Sequence, residues 1–599
     1  MTDLEVQIVS GRGWQGLPEP SKLLYQERYF QPGEDYETWL DRVTKVNCDS
    51  REHRGRMKQY IRNYWFHPAT PVSSNSGLPK QGFPVSCFVQ SVADSKDGIF
   101  HAYEEAFYLG SRGAGIGSYY GNVRHAGAKV GTAGESSGVI PFMKVSEAFV
   151  NAVSQGGLRR ASQAIYLPVW HPEIMEFIHL RDPSGDVKRR APGLFNAVIV
   201  NDEFMNAVAD RTKYNLIHPK TGEVVESVDA FDVWQAILTM RMTKGTPYIL
   251  FIDNVNDRIP LEYQLEGWEV ETSQLCSEIT LRTAPDYSAI CVLSSINVEF
   301  WDEFYDKGAK FDLFIEDCHR FLDNVLENFL NDAEGERGFE AAVRSGRYER
   351  SIALGIMGLH ALYQRKGIGF ETLAAKALNL QVTKAIHDAT RESNEVLAHE
   401  KGANPLSAKH GIYKRNTHVT AIAPTASIST LCGMTSQGVD PRLSNVYTHK
   451  TNVGTFNVRN KYLEAVLESY AQNSPEVWAS IRNNGGGVAH LDFLSEAEKL
   501  TFKPAFQIPA EAIIQQAADR TPYVDQATST NLFIAPGVDV DYLDAVHMDA
   551  WAKGLKSLYY VRSDQPEKVS DLSERKSADD ILRKEKTTKS SYEECWYCG

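Results

Sequence analysis

The sequence lacks an excess of basic residues. Of its 599 residues, 63 are Lys or Arg and 77 are Asp or Glu, so the formal net charge at pH 7 is −14. A protein that holds a nucleic-acid backbone usually presents a surplus of Lys and Arg to the phosphates. The composition therefore argues against a nucleic-acid partner.

Long apolar runs are also missing. A membrane-spanning helix needs about 20 consecutive apolar residues, and no segment approaches that length. The opening residues Met1–Glu5 do not resemble a secretory signal. We therefore expect a cytoplasmic protein without a membrane partner.

Cysteine is scarce, with eight residues in the chain. Only Cys595 and Cys598 are closely spaced, whereas a structural zinc site needs two such pairs, or one pair with spaced histidines. The sequence therefore predicts no metal site. Scattered cysteines in a large intracellular chain are mostly buried apolar side chains, and we expect this of Cys48, Cys318 and Cys432.

Two common nucleotide-binding motifs are absent. The chain contains no Gly-Lys dipeptide, and hence no Walker A loop. The stretch GAGIGSYYG departs from G-x-G-x-x-G because Ser118 or Tyr120 stands in place of the third glycine. We interpret residues 111–127 and 154–162 as glycine-rich loops.

Apolar β-branched runs alternate with helical patterns along the middle of the chain. Buried strands are predicted at 197–200, 248–252 and 289–293, and a long helix at 372–398. Such alternation is typical of an α/β fold with parallel strands. By contrast, residues 563–599 are polar and hold too few apolar side chains for a core, which predicts a flexible arm.

The stretch ETSQLCSEITL, at 271–281, is the most informative. Alternate side chains of an extended segment face the same way, so we expect Gln274, Cys276 and Glu278 to lie on one face. A thiol that becomes a thiyl radical can remove a hydrogen atom, and a nearby carboxylate can take a proton from the same substrate. The alternative interpretation is a half-buried strand with a chance polar face.

Two further cysteines lie in apolar, strand-like runs, Cys87 in GFPVSCFVQSV and Cys291 in SAICVLSSIN. Thiols on neighbouring strands, with Cα atoms about 5.5 Å apart, can close a disulfide and release two electrons. The two runs therefore hold a candidate source of reducing electrons.

The stretch PTAS comprises Pro424, Thr425, Ala426 and Ser427. It predicts a loop that leads into the start of a helix, where backbone N–H groups and hydroxyls can bind phosphate. A helix cap without a ligand is the alternative interpretation.

Together, SQLCSEI around Cys276, PVSCF around Cys87, AICVLSS around Cys291 and PTAS at 424–427 resemble the catalytic subunit of ribonucleotide reductase. The resemblance implies a ten-stranded α/β barrel with Cys276 on a finger loop that threads its centre. It also implies a reaction in which a thiyl radical on Cys276 removes the 3′ hydrogen of a ribose. Glu278 then takes the 3′-hydroxyl proton, and Cys87 and Cys291 provide the electrons that replace the 2′-hydroxyl with hydrogen.

The resemblance also assigns binding residues. The implied substrate contacts of the ribonucleotide are Thr70, Ser86, Pro424, Thr425, Ala426 and Ser427. The implied contacts of a nucleoside triphosphate effector, ATP or a dNTP, are Asp94, Ser95, Arg124 and Arg159. Arg159 lies in QGGLRRA, which matches the loop that couples effector to substrate. Relatives form the effector site at a homodimer interface, so an effector-dependent homodimer is expected. The phosphate loop does not reveal whether the substrate is a diphosphate or a triphosphate.

The sequence also points to a source for the radical. Tyr559 and Tyr560, in SLYYVR, resemble the tyrosine pair of the class I enzymes. Those enzymes receive the radical from a separate small subunit with a metal or tyrosyl centre, so this chain would bind no cofactor itself. An adenosylcobalamin-dependent enzyme is one alternative, and a nucleotide-sensing relative without activity is another. Cys595 and Cys598 resemble the mobile dithiol that thioredoxin or glutaredoxin reduces.

Two features depart from the usual pattern. Gln274 stands where the family usually has asparagine, and the segment at Thr70 comes too early for an N-terminal ATP-cone domain. The chain thus resembles short phage-encoded forms, which would act in the cytoplasm of the host. We divide it into an N-terminal helical region at 1–60, a catalytic barrel at 61–562 and the redox-active arm at 563–599.

Overall fold

The computed structural model describes residues 11–78, 82–132, 134–154, 161–182, 184–306, 308–450, 455–535 and 537–563. The strands are β1 (Phe66–Pro68), β2 (Cys87–Ser91), β3 (Gly115–Tyr119), β4 (Lys129–Val130), β5 (Gly134–Glu135), β6 (Ser162–Pro168), β7 (Phe195–Val200), β8 (Lys213–Ile217), β9 (Val224–Asp229), β10 (Tyr248–Phe251), β11 (Ala289–Asn297), β12 (Ile352–Met357), β13 (Val446–Lys450), β14 (Thr455–Arg459), β15 (Leu532–Ile534), β16 (Ser557–Leu558) and β17 (Val561–Ser563).

The α-helices are α1 (Glu19–Arg28), α2 (Tyr36–Asn47), α3 (Arg51–Arg62), α4 (Thr70–Asn75), α5 (Lys96–Ser111), α6 (Val139–Val153), α7 (Ile174–Ile178), α8 (Asp202–Ala209), α9 (Ala230–Lys244), α10 (Ile252–Asn256), α11 (Leu261–Glu266), α12 (Trp301–Phe304), α13 (Ala309–Asp332), α14 (Glu340–Glu349), α15 (Leu359–Arg365), α16 (Leu373–Lys401), α17 (Pro405–Lys409), α18 (Ala426–Leu431), α19 (Lys461–Ser469), α20 (Pro475–Asn483), α21 (Glu496–Thr501), α22 (Ala510–Arg520) and α23 (Val540–Ala552).

A nine-stranded sheet forms the centre of the molecule. Eight of its strands follow the order β1-β11-β2-β3-β6-β7-β10-β16, and β12 pairs with β11. The strands β2, β3, β6, β7 and β10 run parallel to one another. β11 is antiparallel to β2 and parallel to β12, and β16 is antiparallel to β10.

Two irregular segments continue the sheet beyond β12. Leu354 of β12 bridges in parallel to Thr420, and Ile422 bridges in parallel to Thr528 on the next segment. The N–H of Ile422 donates to the carbonyl oxygen of Ala527 at 3.1 Å, which reinforces the second bridge. These segments extend the parallel half of the sheet that begins with β11 and β12.

The sheet then closes on itself. The N–H of Tyr559, directly after β16, donates to the carbonyl oxygen of Thr530 at 2.8 Å. The resulting ring contains eight strands of the sheet and the two bridged segments, and hence ten in all. The ring consists of two groups of five parallel strands. The two groups are antiparallel to each other where β2 pairs with β11 and where β10 pairs with β16. The predicted α/β barrel is confirmed.

Strands of this barrel are buried on both faces. Every residue of β2, β3, β7, β10, β11 and β12 is buried. Helices cover the outside of a sheet built largely of parallel strands, which is why such strands read as continuous apolar runs. Within the described part of the chain, no helix is both long and apolar enough to cross a lipid bilayer.

The N-terminal helices α1 to α3 pack against the outside of the barrel. Asp35 caps α2 by accepting a hydrogen bond from the N–H of Thr38 at 2.8 Å. The buried indole of Trp39 donates to the carbonyl oxygen of Ser73 at 3.0 Å. The cap fixes the start of α2, and the hydrogen bond from Trp39 connects this helix to α4.

Most of the predicted elements are present. The helix predicted at 372–398 is α16, with Thr372 as its cap, and the runs at 197–200 and 289–293 lie in β7 and β11. The run predicted at 248–252 is β10, except that Ile252 begins α10. Cys318 and Cys432 are buried as predicted, whereas Cys48 is only partly buried because it lies at the exposed end of α2.

Candidate active site

Residues 271–283 form a loop that passes through the centre of the barrel between α11 and β11. We call this segment the finger loop. On one side it lies so close to β3 that a Cβ atom on Gly117 would be 2.0 Å from the carbonyl oxygen of Ser273. On another side, the N–H of Ala527 donates to the carbonyl oxygen of Glu278 at 2.8 Å. The finger loop is thus held by segments from different parts of the ring.

The path of the finger loop explains the glycines in GAGIGS. The prediction of a loop across 111–127 is wrong at its centre, because Gly115–Tyr119 form the buried strand β3. A Cβ atom on Gly115 would lie 3.1 Å from the Leu275 side chain. The glycines therefore reflect the close approach of another backbone segment rather than a flexible loop.

The tip of the finger loop is a turn. The N–H of Ser277 donates to the carbonyl oxygen of Gln274 at 3.1 Å, and Ser277 has a φ of 67°, in the left-handed region that non-glycine residues seldom adopt. The expected alternation of an extended segment is therefore wrong here. The turn brings Gln274 and Glu278 together instead, and the Gln274 amide donates to the Glu278 carboxylate at 2.5 Å.

Side chains from the ring fix this turn. The hydroxyl of Ser529 lies 2.5 Å from the carbonyl oxygen of Cys276 and 3.2 Å from Oε2 of Glu278. The hydroxyl of Tyr166, on β6, donates to the carbonyl oxygen of Gln274 at 2.7 Å. Gln274, Cys276 and Glu278 are all completely buried. An amide, a thiol and a carboxylate are thus held in one enclosed site.

Tyr559 connects this site to an aromatic cluster. Its hydroxyl donates to the sulfur of Cys276 at 3.4 Å. The ring centroids of Tyr559 and Tyr560 are 4.3 Å apart, and the ring of Tyr248 lies 4.6 Å from the first and 5.0 Å from the second. Three tyrosine rings are therefore in contact beside the thiol, although Tyr248 was not predicted to belong to the site.

Cys87 and Cys291 are direct partners in the β2/β11 ladder. Both are buried free thiols. Burial raises the pKa of the Cys291 thiol well above its usual value, and a hydrogen bond from Gln526 opposes that increase. Directly opposed cysteines in an antiparallel pair have the Cα spacing that a disulfide requires.

A narrow cleft reaches this cysteine pair. Its lining residues are Ala69, Pro71, Pro84, Val85, Ser86, Cys87, Cys291 and Leu293. Ser86 thus lies where it was predicted, beside the thiols. Thr70 lies between two lining residues at the start of α4, and its hydroxyl is 2.9 Å from that of Tyr29.

The stretch from Pro424 to Ser427 leads into a helix, as predicted. Helix α18 begins at Ala426, and the hydroxyl of Thr425 accepts a hydrogen bond from the N–H of Gly438 at 2.7 Å rather than capping the helix. This loop follows the ring segment that contains Ile422. The carbonyl oxygen of Ile422 in turn accepts a hydrogen bond from the N–H of Ser529 at 3.0 Å, so the loop leaves the barrel next to the finger loop.

Three of the four predicted effector residues lie together. Arg124 forms an ion pair with Asp94, with 2.7 Å between its guanidinium and the carboxylate. Ser95 caps α5 through a hydrogen bond from the N–H of Gly98 at 2.9 Å. The fourth, Arg159, lies outside the described residues, as do Cys595 and Cys598.

Besides Tyr248, three contact residues of the site were not predicted, namely Tyr166, Gln526 and Ser529. Their side chains reach Gln274, Cys291 and Cys276 from β6 and from the irregular segment at 526–530. The run of polar residues QATSTN, directly before the apolar Leu532–Ile534, could have indicated Gln526 and Ser529. Among the described residues, no group of three His, Cys, Asp or Glu side chains is arranged to hold a metal ion.

Comparisons with known proteins agree with this geometry. The family model described as "Ribonucleotide reductase, barrel domain" matches residues 85–408 and 406–561. The chain is 36% identical over 509 residues to a putative ribonucleoside-diphosphate reductase large subunit of Frog virus 3, which covers 85% of this chain and 87% of that protein. It is 32% identical over 565 residues to the ribonucleoside-diphosphate reductase large subunit of Invertebrate iridescent virus 3, with the same coverage of both chains.

A solved structure is similar over nearly its whole length. The class Id ribonucleotide reductase alpha subunit of Actinobacillus ureae superimposes with a TM-score of 0.81 and 27% identity, over 94% of this chain and 99% of that one. The family match covers the barrel, the finger loop and both strands of the cysteine pair. The chain therefore belongs to the family of ribonucleotide reductase large subunits.

Proposed function

We propose that this chain reduces ribonucleotides to 2′-deoxyribonucleotides by thiyl-radical chemistry at Cys276, with the radical supplied by a partner subunit. The observation that carries the proposal is the contact between the Tyr559 hydroxyl and the Cys276 sulfur at 3.4 Å. An oxidised tyrosine in that position can accept an electron from the thiol as the thiol loses its proton. The adjacent rings of Tyr559 and Tyr560, tilted by 59° with centroids 4.3 Å apart, extend this route away from the finger loop.

Cys276 and Glu278 have complementary tasks in the radical step. The thiyl radical removes the 3′ hydrogen atom of the ribose, and the carboxylate of Glu278 takes the proton of the 3′-hydroxyl as general base. The hydrogen bond from Gln274 fixes the orientation of that carboxylate. The turn places Gln274 beside Glu278, so a glutamine can make this hydrogen bond at a position where the family usually has the shorter asparagine.

Cys87 and Cys291 supply the reducing electrons. Their two S–H bonds break and one S–S bond forms, while the 2′-hydroxyl of the substrate leaves as water and a hydrogen takes its place. The net change converts a ribonucleotide and a dithiol into a deoxyribonucleotide, a disulfide and water. The direct pairing of both thiols in the β2/β11 ladder supports this step.

Substrate and effector would bind on either side of the finger loop. We assign the substrate phosphates to the loop at 424–427, and contacts near the cysteine pair to Thr70 and Ser86. Because both viral relatives are named as ribonucleoside-diphosphate reductases, we propose a diphosphate substrate. Its reaction would take place in the cytoplasm of the host cell.

The effector would be a nucleoside triphosphate bound near Asp94, Ser95 and Arg124, with Arg159 completing the site. An effector-dependent homodimer is supported by exposed apolar side chains on the adjacent helices α5 and α6. Phe100 is 66% exposed on α5, and Val145 is 42% exposed on α6. A second copy that packs on these helices would bury both side chains.

The dithiol of Cys595 and Cys598 would restore the reduced state. The Cys87–Cys291 pair is too deeply buried for direct contact with a protein reductant, since its side chains are 2% and 1% exposed. A tethered dithiol can exchange with the buried disulfide and then with thioredoxin or glutaredoxin.

Turnover assays would test this proposal. The reduced full-length chain, given ribonucleoside diphosphates or triphosphates and an effector, should form deoxyribonucleotides with a candidate small subunit but not with adenosylcobalamin. Cys276→Ser should abolish turnover, whereas the matched variant Cys318→Ser, at a buried thiol on α13, should retain it. Turnover with adenosylcobalamin alone would favour the cobalamin-dependent alternative. Nucleotide binding without turnover under every condition would favour a sensor.

A further inference from the structure

Gln526 is a completely buried side chain at one edge of the cysteine pair. Its amide nitrogen donates to the sulfur of Cys291 at 3.5 Å and to the carbonyl oxygen of Ile352 at 3.1 Å. Its backbone is fastened on both sides: the N–H donates to Thr420 at 3.1 Å, and the carbonyl oxygen accepts from the Lys556 ammonium at 2.6 Å. The amide therefore has little freedom to turn away from the thiol.

The orientation of this amide follows from its second partner. A backbone carbonyl can only accept a hydrogen bond, so the group that faces Ile352 must be the NH₂ rather than the amide oxygen. The same NH₂ group then presents its other hydrogen to Cys291. The sulfur consequently faces a donor, which favours the thiolate or a disulfide sulfur over a thiol that donates its own proton.

The surroundings of Cys291 otherwise oppose a negative charge. Cys87 faces it from β2, and the carboxylate of Glu278 acts on it from the finger loop. Burial is the largest effect that disfavours a thiolate at Cys291, and the negative charge of the Glu278 carboxylate adds to it. The hydrogen bond from the Gln526 side chain acts on the sulfur in the opposite direction.

We propose that Gln526 is a positioning residue that orients the Cys291 sulfur and stabilises its thiolate. This inference rests on the proposed function and deepens it. As the disulfide forms, the S–H bonds of Cys87 and Cys291 break and the pair gives two electrons to the ribonucleotide. One of the two hydrogens leaves in the water formed from the 2′-hydroxyl, and the other becomes the new hydrogen on C2′.

Alkylation kinetics test the inference without turnover. The full-length chain is reduced, freed of reductant and treated with iodoacetamide between pH 6 and 10, and modification is measured by mass spectrometry. Cys87 and Cys291 fall in separate tryptic peptides, so each rate is read in the same sample. Because only thiolates react, Gln526→Met should slow Cys291 about tenfold across this pH range.

Cys87, which does not contact Gln526, provides an internal control and should react as in the wild type. Gln516→Met, at a buried glutamine on α22 that bonds to Phe370 and Tyr363, is the matched variant and should leave both rates unchanged. Should Gln526→Met fail to fold, Gln526→Glu has the same number of heavy atoms and should slow Cys291 at least as much. An unchanged Cys291 rate, or equal slowing of both cysteines, would overturn the inference. The absence of turnover in the wild type would instead refute the proposed function and leave these rates interpretable.

Discussion

The hydroxyl of Tyr559 donates a hydrogen bond to the sulfur of Cys276, although 283 positions separate the two residues in the chain. Tyr559→Phe retains the ring and its contacts with Tyr248 and Tyr560 but removes the proton and the hydrogen bond. We expect loss of all activity driven by the partner subunit, with nucleotide binding unaffected. Single-turnover product formation and nucleotide affinity, measured in parallel, would show this.

Tyr413→Phe is the matched control for that variant, because its ring is 59% exposed and far from the finger loop in sequence. It should retain full activity. Partner-driven turnover by Tyr559→Phe at the wild-type rate would contradict a role for this hydroxyl in radical transfer.

Replacement of the Glu278 carboxylate should slow the chemical step without weakening substrate binding. In Glu278→Gln, the side chain keeps its size and can still contact Gln274 and Ser529, but it no longer acts as a base. We expect turnover to fall by about 10²–10⁴-fold while substrate affinity changes little. Rapid-quench kinetics with saturating substrate would measure the loss, and a rate equal to that of the wild type would exclude Glu278 as the base.

Gly117 should tolerate no side chain. In Gly117→Ala, the new Cβ would lie 2.0 Å from the carbonyl oxygen of Ser273 and 2.5 Å from Cα of Gln274. These backbone atoms cannot shift without strain. We therefore expect destabilisation of about 1–3 kcal/mol and a displaced finger loop with little activity. Gly55→Ala, on α3 with no neighbour within 4 Å of the new Cβ, is the control and should keep both stability and activity. Thermal unfolding and turnover of the two variants provide the comparison.

Glu105 should make stability depend on pH. Burial raises its pKa to about 7 even though Ser288 donates a hydrogen bond to it at 2.8 Å. The folded state therefore binds a proton more tightly than the unfolded state, whose value is near 4.5. The resulting stabilisation is complete below about pH 4.5 and is lost as the pH rises through 7.

Glu105→Gln should accordingly reduce the fall in melting temperature between pH 5 and pH 8. The difference corresponds to about 3 kcal/mol of unfolding free energy at most. Glu104→Gln, the neighbouring residue that pairs with Arg337 at the surface, should leave the pH dependence as in the wild type. Identical pH profiles for wild type and Glu105→Gln would contradict the prediction.

The proposed dithiol can be tested by changing Cys595 and Cys598 to serine together. A pre-reduced sample should complete a single turnover, because Cys87 and Cys291 are intact. Repeated turnover with thioredoxin should stop, whereas dithiothreitol should restore part of the rate by entering the barrel directly. Cys48→Ser serves as the control. Undiminished turnover with thioredoxin in the double variant would show that another route reduces the buried pair.

Local sequence patterns were sufficient to predict helices and strands whose apolar, buried side chains recur at regular spacing along the chain. The helical pattern at 372–398 predicted α16, and the apolar run at 289–293 predicted the first half of β11. The opposed positions of Cys87 and Cys291 agree with their prediction on neighbouring strands. The predictions of α16 and β11 each depended on the pattern within one continuous stretch of the chain.

The shape of the finger loop could not be predicted in this way. Its turn depends on Tyr166 and Ser529, which bond to the finger loop from 108 and 253 positions away. Gly117 was misread for the same reason, since the backbone that requires a glycine there belongs to a remote segment. Contacts that form only after the ring closes cannot be predicted from local sequence patterns.

The closure of the barrel sets an order of events during synthesis. A growing chain that has reached β12 already contains Cys87, Cys276 and Cys291, but the segment with Ser529 and the residue Tyr559 have not yet emerged. Until they dock, the proposed electron route from Cys276 through the Tyr559 hydroxyl is not assembled. In the proposed mechanism, the partner could therefore not oxidise Cys276 in an incomplete chain.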